Sequence, residues 1–176
     1  TWEFGIDIPL ASHARHMHEV HWDPYRKVLW AAGGDSGVGD GVGCELYWSQ
    51  DYGATWNIFT GTRQCTGVIP TPSGLYVLID DNVNYVVEYY AGTTAAAVVA
   101  ATKVQVFNPL GGHLSGVSAA ADSGFSWWGW YDAAFGIVYC AYGAADGSSV
   151  SGAMLAGGYD GGTAWKMIDY TYSATG

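Results

Sequence analysis

The chain has 176 residues, of which 49% are hydrophobic and 15% aromatic, with 26 glycines and 13 tyrosines; that is enough for one domain with a real core and too apolar for a disordered chain. Six Lys and Arg stand against sixteen Asp and Glu, a formal net charge of -10, so nucleic acid and anionic membrane surfaces are poor partners, because phosphate binding needs cationic side chains. The longest apolar runs, such as AAAVVAA at 95–101, are too short to insert in a membrane as a spanning helix.

In chain order, the abundance of Gly, Trp and Tyr with short alternating runs predicts an all-β chain. The first unit reads as four short strands near 15–22, 27–33, 44–49 and 55–60, with alternation clearest in VLWAA and ELYWS and with Gly, Asp and Pro at the joins. In the middle unit, GVIPTPSGLYVLIDD (67–81) resembles the WDPYRKVLWAAGGD stretch (22–35) and its approach, NYVVEYYAG (84–92) is the next strand, and TKVQVF (102–107) closes the unit. An Ala-rich helix over 93–102 competes with a loop there, and Thr and Val weaken it. Cys44, Cys65 and Cys140 have no metal-binding spacing; one disulfide with a free thiol, or three thiols, remain open.

An internal repeat organises these elements. At an offset of 109 residues, 22–56 aligns without gaps on 131–165, with eight identities over thirty-five positions, among them Asp23/Asp132, Asp51/Asp160, Gly53/Gly162 and Trp56/Trp165. Trp2, Trp56 and Trp165 are 54 and 109 residues apart, which reads as units of about 54 residues with a middle unit between the two similar ones. The chain opens at Thr1-Trp2, inside such a unit, and so reads as processed, trimmed or part of something longer.

The stretch SQDYGATW (49–56) carries Ser49, Asp51, Gly53, Thr55 and Trp56. Asp accepts hydrogen bonds from nearby backbone N–H groups, Gly permits positive φ and Trp buries a large surface, so the stretch reads as a structural turn. A calcium loop would need a run of acidic ligands that is missing here. The pattern S-x-D-x-G-x-T-W resembles the Asp-box, or BNR repeat, of sialidase-like β-propellers. The later copy keeps Asp160, Gly162 and Trp165 but has Gly158 and Ala164 at the Ser and Thr positions. The resemblance implies propeller blades of four antiparallel strands at about 15–60, 63–107 and 124–170, with 1–10 as the closing strand of a preceding blade. Three blades are too few to close a ring, so it also implies further propeller blades or a second copy of the chain. It places the Asp-box residues in a structural role, away from a substrate pocket.

In such propellers the innermost strand of each blade lines a central channel. The first one here is RHMHEVHW (15–22). Alternation puts His16 and His18 on one face and Glu19 and His21 on the other. The counterparts are Gln64 and Thr66 in the middle unit and Phe125 and Trp127 in the last. His16, His18, Gln64, Thr66, Phe125 and Trp127 are therefore the candidate ligand-binding residues. Aromatics beside directed polar groups suit a sugar ring, whose C–H faces stack and whose hydroxyls need partners. GFSWWGWYD (124–132) adds Trp128 and Trp130. No cofactor is expected. A metal at His16 and His18 would need a third ligand, for which Asp35, Asp80 and His113 are candidates.

Two other functions compete with carbohydrate recognition. A glycoside hydrolase or lyase needs a carboxylate pair, and Asp35, Asp40, Asp80, Asp81 and Glu88 show no spacing that selects one; its catalytic residues would lie partly outside this chain. Arg15, Arg26 and Arg63 are the only arginines and match no arginine triad of the family. The third possibility is a structural propeller in a surface assembly. The resemblance implies an extracellular or virion-surface setting.

Overall fold

The computed structural model describes residues 16–34, 46–59, 65–79, 86–107, 124–144 and 150–174. Among these residues it is all-β but for one short helix, and twelve strands form three separate four-stranded antiparallel sheets, each in simple sequence order. The first sheet holds β1 (His16–Asp23), β2 (Val28–Gly34), β3 (Leu46–Ser49) and β4 (Asn57–Phe59). The second holds β5 (Cys65–Pro70), β6 (Gly74–Ile79), β7 (Val87–Ala91) and β8 (Val104–Phe107). The third holds β9 (Gly124–Asp132), β10 (Ile137–Ala144), β11 (Val150–Tyr159) and β12 (Lys166–Ala174).

The repeat read from the sequence holds at the level of strand register. Trp22 pairs with Leu29 and Trp30 with Trp48 in the first sheet; 109 residues on, Tyr131 pairs with Val138 and Tyr139 with Gly157. The turns agree as well. Asp23 Oδ1 accepts from the amides of Tyr25 and Arg26 at 2.9 and 3.0 Å, and Asp132 Oδ1 accepts from those of Ala134 and Phe135. Lys27 and Gly136 both take positive φ, 55° and 65°.

The sheets stack face to face with the second in the middle, and two cores fill the gaps. Val28, Trp30, Leu46 and Phe59 of the first sheet meet Val68, Leu75, Val77 and Tyr90 of the second. On the other side, Ile69, Tyr76, Leu78 and Val87 meet Val138, Cys140, Ala156 and Trp165 of the third. Because both its faces are covered, β5 and β6 are buried at every position, which explains the unbroken apolar run GLYVLI where a half-exposed strand would alternate. Cys65 and Cys140 are buried, one in each core; Cys44 lies outside the described residues.

Each end of the stack has a face turned away from the second sheet, and on that of the first sheet Ala31 and Tyr47 are nonetheless fully buried, with Met17 and Trp56 against them. By strand register, Val20, Trp22 and Ile58 share the outward face of the first sheet, and Trp128, Trp130 and Tyr159 that of the third; all six are exposed. Ile168 adds to the third sheet's outward face, beside Gly157 and Tyr139, and Trp130 stacks on Tyr139 with centroids 4.9 Å apart.

The helix α1 (Ala95–Ala100) does form, between β7 and β8. Thr94 caps it by accepting from the Ala97 amide through Oγ1 at 3.1 Å, and Ala95 and Val98 are buried in the first core. The β-branched residues that weaken intrinsic propensity are outweighed by this cap and packing.

The Ser49–Trp56 turn is a closed hydrogen-bond net. Ser49 Oγ donates to Asp51 Oδ1 at 2.8 Å and accepts from the Gly53 amide at 2.8 Å. Thr55 donates its amide to Asp51 Oδ1 at 2.8 Å and its hydroxyl to Oδ2 at 2.6 Å. Tyr52 and Gly53 both take positive φ, 58° and 92°. The Thr55 hydroxyl, then the Thr55 amide and the Ser49 hydroxyl, hold the Asp51 carboxyl at about 2, well below the usual carboxylate range. A carboxyl depressed on folding stabilises the native state above its unfolded pKa, near 3.9, and loses that contribution as pH falls through the folded value. The melting-temperature gap between the parent chain and Asp51→Ala is therefore expected to close as pH is lowered from about 4 towards about 2. A gap unchanged by pH would contradict this role for the carboxylate.

The later copy has diverged. With Gly158 and Ala164 in place of Ser and Thr, Asp160 turns to the neighbouring sheet: Ser73 donates its hydroxyl to Oδ1 at 2.5 Å and its amide to Oδ2 at 3.2 Å. A Cβ at Gly158 would stand 2.5 Å from Trp165 Cδ1, so the ring position requires the glycine. Gly162 donates its amide to the Tyr159 carbonyl at 2.8 Å.

Candidate functional site

The first strand of each sheet is an edge strand, and the three lie side by side, β1 against β5 and β5 against β9. This seam is where the sequence places its candidate ligand-binding residues. Each of the three strands bulges once. The register skips His18 between Met17 and Glu19, Thr66 between Cys65 and Gly67, and Trp127 between Ser126 and Trp128. A bulge adds an unpaired residue, bends the strand and re-aims a side chain. The same device therefore recurs at the same place in all three sheets, at three of the six candidates.

The bulge corrects the expected division of faces. Strict alternation separates His18 from Glu19 and His21. Instead all three turn toward β5 or toward each other: His18 Nδ1 donates to the Cys65 carbonyl at 2.9 Å, and Glu19 Oε2 accepts from the Val68 amide at 2.9 Å. Gly67 makes room for that carboxylate, since a Cβ there would stand 2.6 Å from Oε2. The other oxygen, Oε1, is 3.0 Å from His21 Nδ1, with both side chains about a third exposed (36% and 33%). A carboxylate oxygen only accepts, so Nδ1 carries the proton, and the ring presents Nε2 as an acceptor when neutral. Glu19 thus fixes the orientation and tautomer of an accessible histidine.

The other candidates fare differently. Thr66 is buried at 2% exposure, and its hydroxyl donates to the Leu78 carbonyl at 3.4 Å. His16, Phe125 and Trp127 have their backbones in β1 and β9, while their side chains, Gln64, Asp35, Asp40, Asp80, Asp81 and His113 lie outside what is described. Glu88 is a structural ion: buried, it accepts from Lys103 Nζ and from the Tyr90 hydroxyl, each at 2.8 Å. Among the described residues no group of three His, Cys, Asp or Glu could hold a metal ion, and no helix is long and apolar enough to cross a membrane. Glu19 and His21 form a hydrogen-bonded pair that a strand-by-strand reading leaves out of the candidate site. Their i, i+2 spacing is visible in the sequence, but their union with His18 depends on the bulge.

At the opposite end of the seam, turns of neighbouring sheets lock together. Arg26 donates Nη1 to Asp23 Oδ2, and Nη2 to the carbonyls of Thr71 and Gly92 in the second sheet, all at 2.8 Å. Trp30 Nε1 gives Asp23 Oδ2 a further bond at 3.0 Å. Tyr76 accepts from the Gly161 amide at 2.9 Å, and burial pushes its hydroxyl well above the usual range. This end is scaffold, with its polar groups already committed to one another. No protein-family model matches the chain, and neither a curated protein nor a solved structure shows significant similarity to it.

Proposed function

We propose that the chain recognises a neutral or weakly charged glycan at the seam of β1, β5 and β9, as part of an Asp-box β-propeller on an extracellular or virion surface. The observation that carries this reading is the threefold recurrence of the bulge, at His18, Thr66 and Trp127. In the first sheet it gathers a directed acceptor, His21, held by Glu19. Sugar hydroxyls need such fixed partners, and the residue at the equivalent bulge of the third sheet, Trp127, is of the type that stacks on a sugar ring. The sheets built as simple four-stranded meanders in series, and the closed Ser49–Trp56 turn, support the propeller reading.

The test is a glycan array on the chain, followed by titration of the best-bound glycan at low and high salt. Affinity is expected to change little with salt, because hydrogen bonds and stacking replace long-range attraction. His21→Ala is expected to weaken binding about two- to tenfold, the worth of one or two hydrogen bonds, and Trp127→Ala to weaken it as well. No glycan hit, or a hit indifferent to both substitutions, contradicts the site. Release of reducing sugar during incubation would instead favour a glycoside hydrolase or lyase.

A further inference from the structure

Glu19 holds two groups at once: its Oε2 accepts from the Val68 amide of the second sheet at 2.9 Å, and its Oε1 from His21 Nδ1 at 3.0 Å. We propose that this carboxylate sets the charge class of the glycan at the seam. With Glu19 ionised and His21 neutral, the site takes sugars that offer hydroxyls and refuses sugars that carry a carboxylate; protonation of His21 lifts the refusal. The inference rests on the reading of the seam as a glycan site.

Hydrogen-bond accounting leaves the neutral ring one role. Both Glu19 oxygens only accept, so the proton sits on Nδ1, and Nε2, without a partner among the described residues, is an acceptor. A sugar hydroxyl can donate to it; a sugar carboxylate has no proton to give. Charge acts in the same direction. β1 packs against β2 and β5. β2 carries no titratable side chain, and β5 only Cys65, which is buried. Along β1, His18 donates Nδ1 to the Cys65 carbonyl, Asp23 is fully buried with Arg26, and the His16 side chain lies outside what is described. Glu19 is therefore the one uncompensated charge among the described side chains of these three strands. A second carboxylate brought within a few ångströms of it, at a side chain about a third exposed (33%), is expected to lose about three- to tenfold in affinity.

Protonation of His21 reverses both effects. The ring then donates from Nε2 and its charge offsets that of Glu19, while a sugar hydroxyl, which accepts as well as donates, loses little. Glu19→Gln should do the same without acid. The Val68 amide needs an acceptor, so the Gln carbonyl oxygen takes the place of Oε2 and the amide nitrogen faces His21. An NH2 group only donates, so Nδ1 becomes the acceptor and the proton of the neutral ring moves to Nε2. One substitution that keeps the inter-sheet bond thus removes the negative charge and inverts the ring. Glu19 acts through His21 and is a positioning residue.

The test is an array of neutral oligosaccharides beside the same oligosaccharides with a primary hydroxyl oxidised to a carboxylate, probed at about pH 7.5 and about pH 5, on either side of the usual histidine range. The parent chain should bind its neutral glycans at both values, and their acid counterparts about three- to tenfold more weakly at the higher pH only. Glu19→Gln should bind the two sets alike at the higher pH, and His21→Asn should keep the gap at both. Nitrogen spectra of isotope-labelled histidine read the tautomer without any glycan: the His21 proton is expected on Nδ1 in the neutral parent and on Nε2 in Glu19→Gln. Should Glu19→Gln fail to fold, the parent and His21→Asn at the two pH values decide the matter. Acid counterparts bound as well as neutral ones by the parent at the higher pH, a gap that closes with acid in His21→Asn, a proton on Nε2 in the neutral parent, or a gap that survives in a folded Glu19→Gln would each overturn the proposal and leave the seam a glycan site. Binding of neither set would overturn both.

Discussion

Arg26→Leu is expected to destabilise the chain by about 3–5 kcal/mol, the usual cost of breaking a buried ion pair from one side. Asp23 and Arg26 are both fully buried at the side chain and meet at 2.8 Å. The substitution leaves the Asp23 carboxylate in the core with the Tyr25 and Arg26 amides and the Trp30 indole, but without its counter-charge. It also strips the Thr71 and Gly92 carbonyls of a donor from the neighbouring sheet, so the loss falls on the tie between two sheets as well as on one turn. Urea unfolding measures it. Arg26→Leu combined with Asp23→Asn should recover part of the loss, because the uncompensated charge is gone. A cost below about 1 kcal/mol for Arg26→Leu would show that water reaches this pair.

Trp165→Ala is expected to cost about 3–5 kcal/mol, as for a large aromatic removed from a core. The ring packs between Tyr76 and Phe107, with centroids 5.3 and 6.4 Å away, and joins the third sheet to the second. Trp56→Ala should cost clearly less, since Trp56 is only partly buried and closes a turn that Ser49, Asp51 and Thr55 already hold. Thermal melts of both variants compare them directly. A larger loss for Trp56→Ala would contradict the division of labour between the two copies.

The features legible in the sequence are those carried by local chemistry and by the repeat. The offset between Trp56 and Trp165 predicts equivalent strand sets, and the registers of the first three strands agree residue by residue, while the fourth slips by one at Leu155. Asp51 with Ser49, Gly53 and Thr55 predicts a turn closed by side-chain hydrogen bonds, because all its partners lie within a few residues. What depends on one sheet meeting another is not legible. The bond from Ser73 to Asp160 spans 87 residues, and the same Asp-Gly-Trp spacing gives a self-contained turn in one copy and an inter-sheet clamp in the other. The bulges at His18, Thr66 and Trp127 are likewise hidden: a period of two separates His18 from Glu19 and His21, and only the register with β2 reveals the extra residue. In α1 the short Ala run is decided by Thr94 and by burial of Val98, neither of which propensity alone can weigh.

The most direct test of the functional account is an amide chemical-shift titration of the isotope-labelled chain with the best-bound glycan from the array. The Val68 amide reports on Glu19, to which it donates at 2.9 Å, and the Thr55 amide reports on the scaffold turn through Asp51. The account predicts saturable shifts at Glu19, His21, Gly67 and Val68, reduced in His21→Ala, with Thr55 unmoved. Shifts confined to the Ser49–Trp56 turn and the outward faces, with Glu19 and Val68 unchanged, would contradict it.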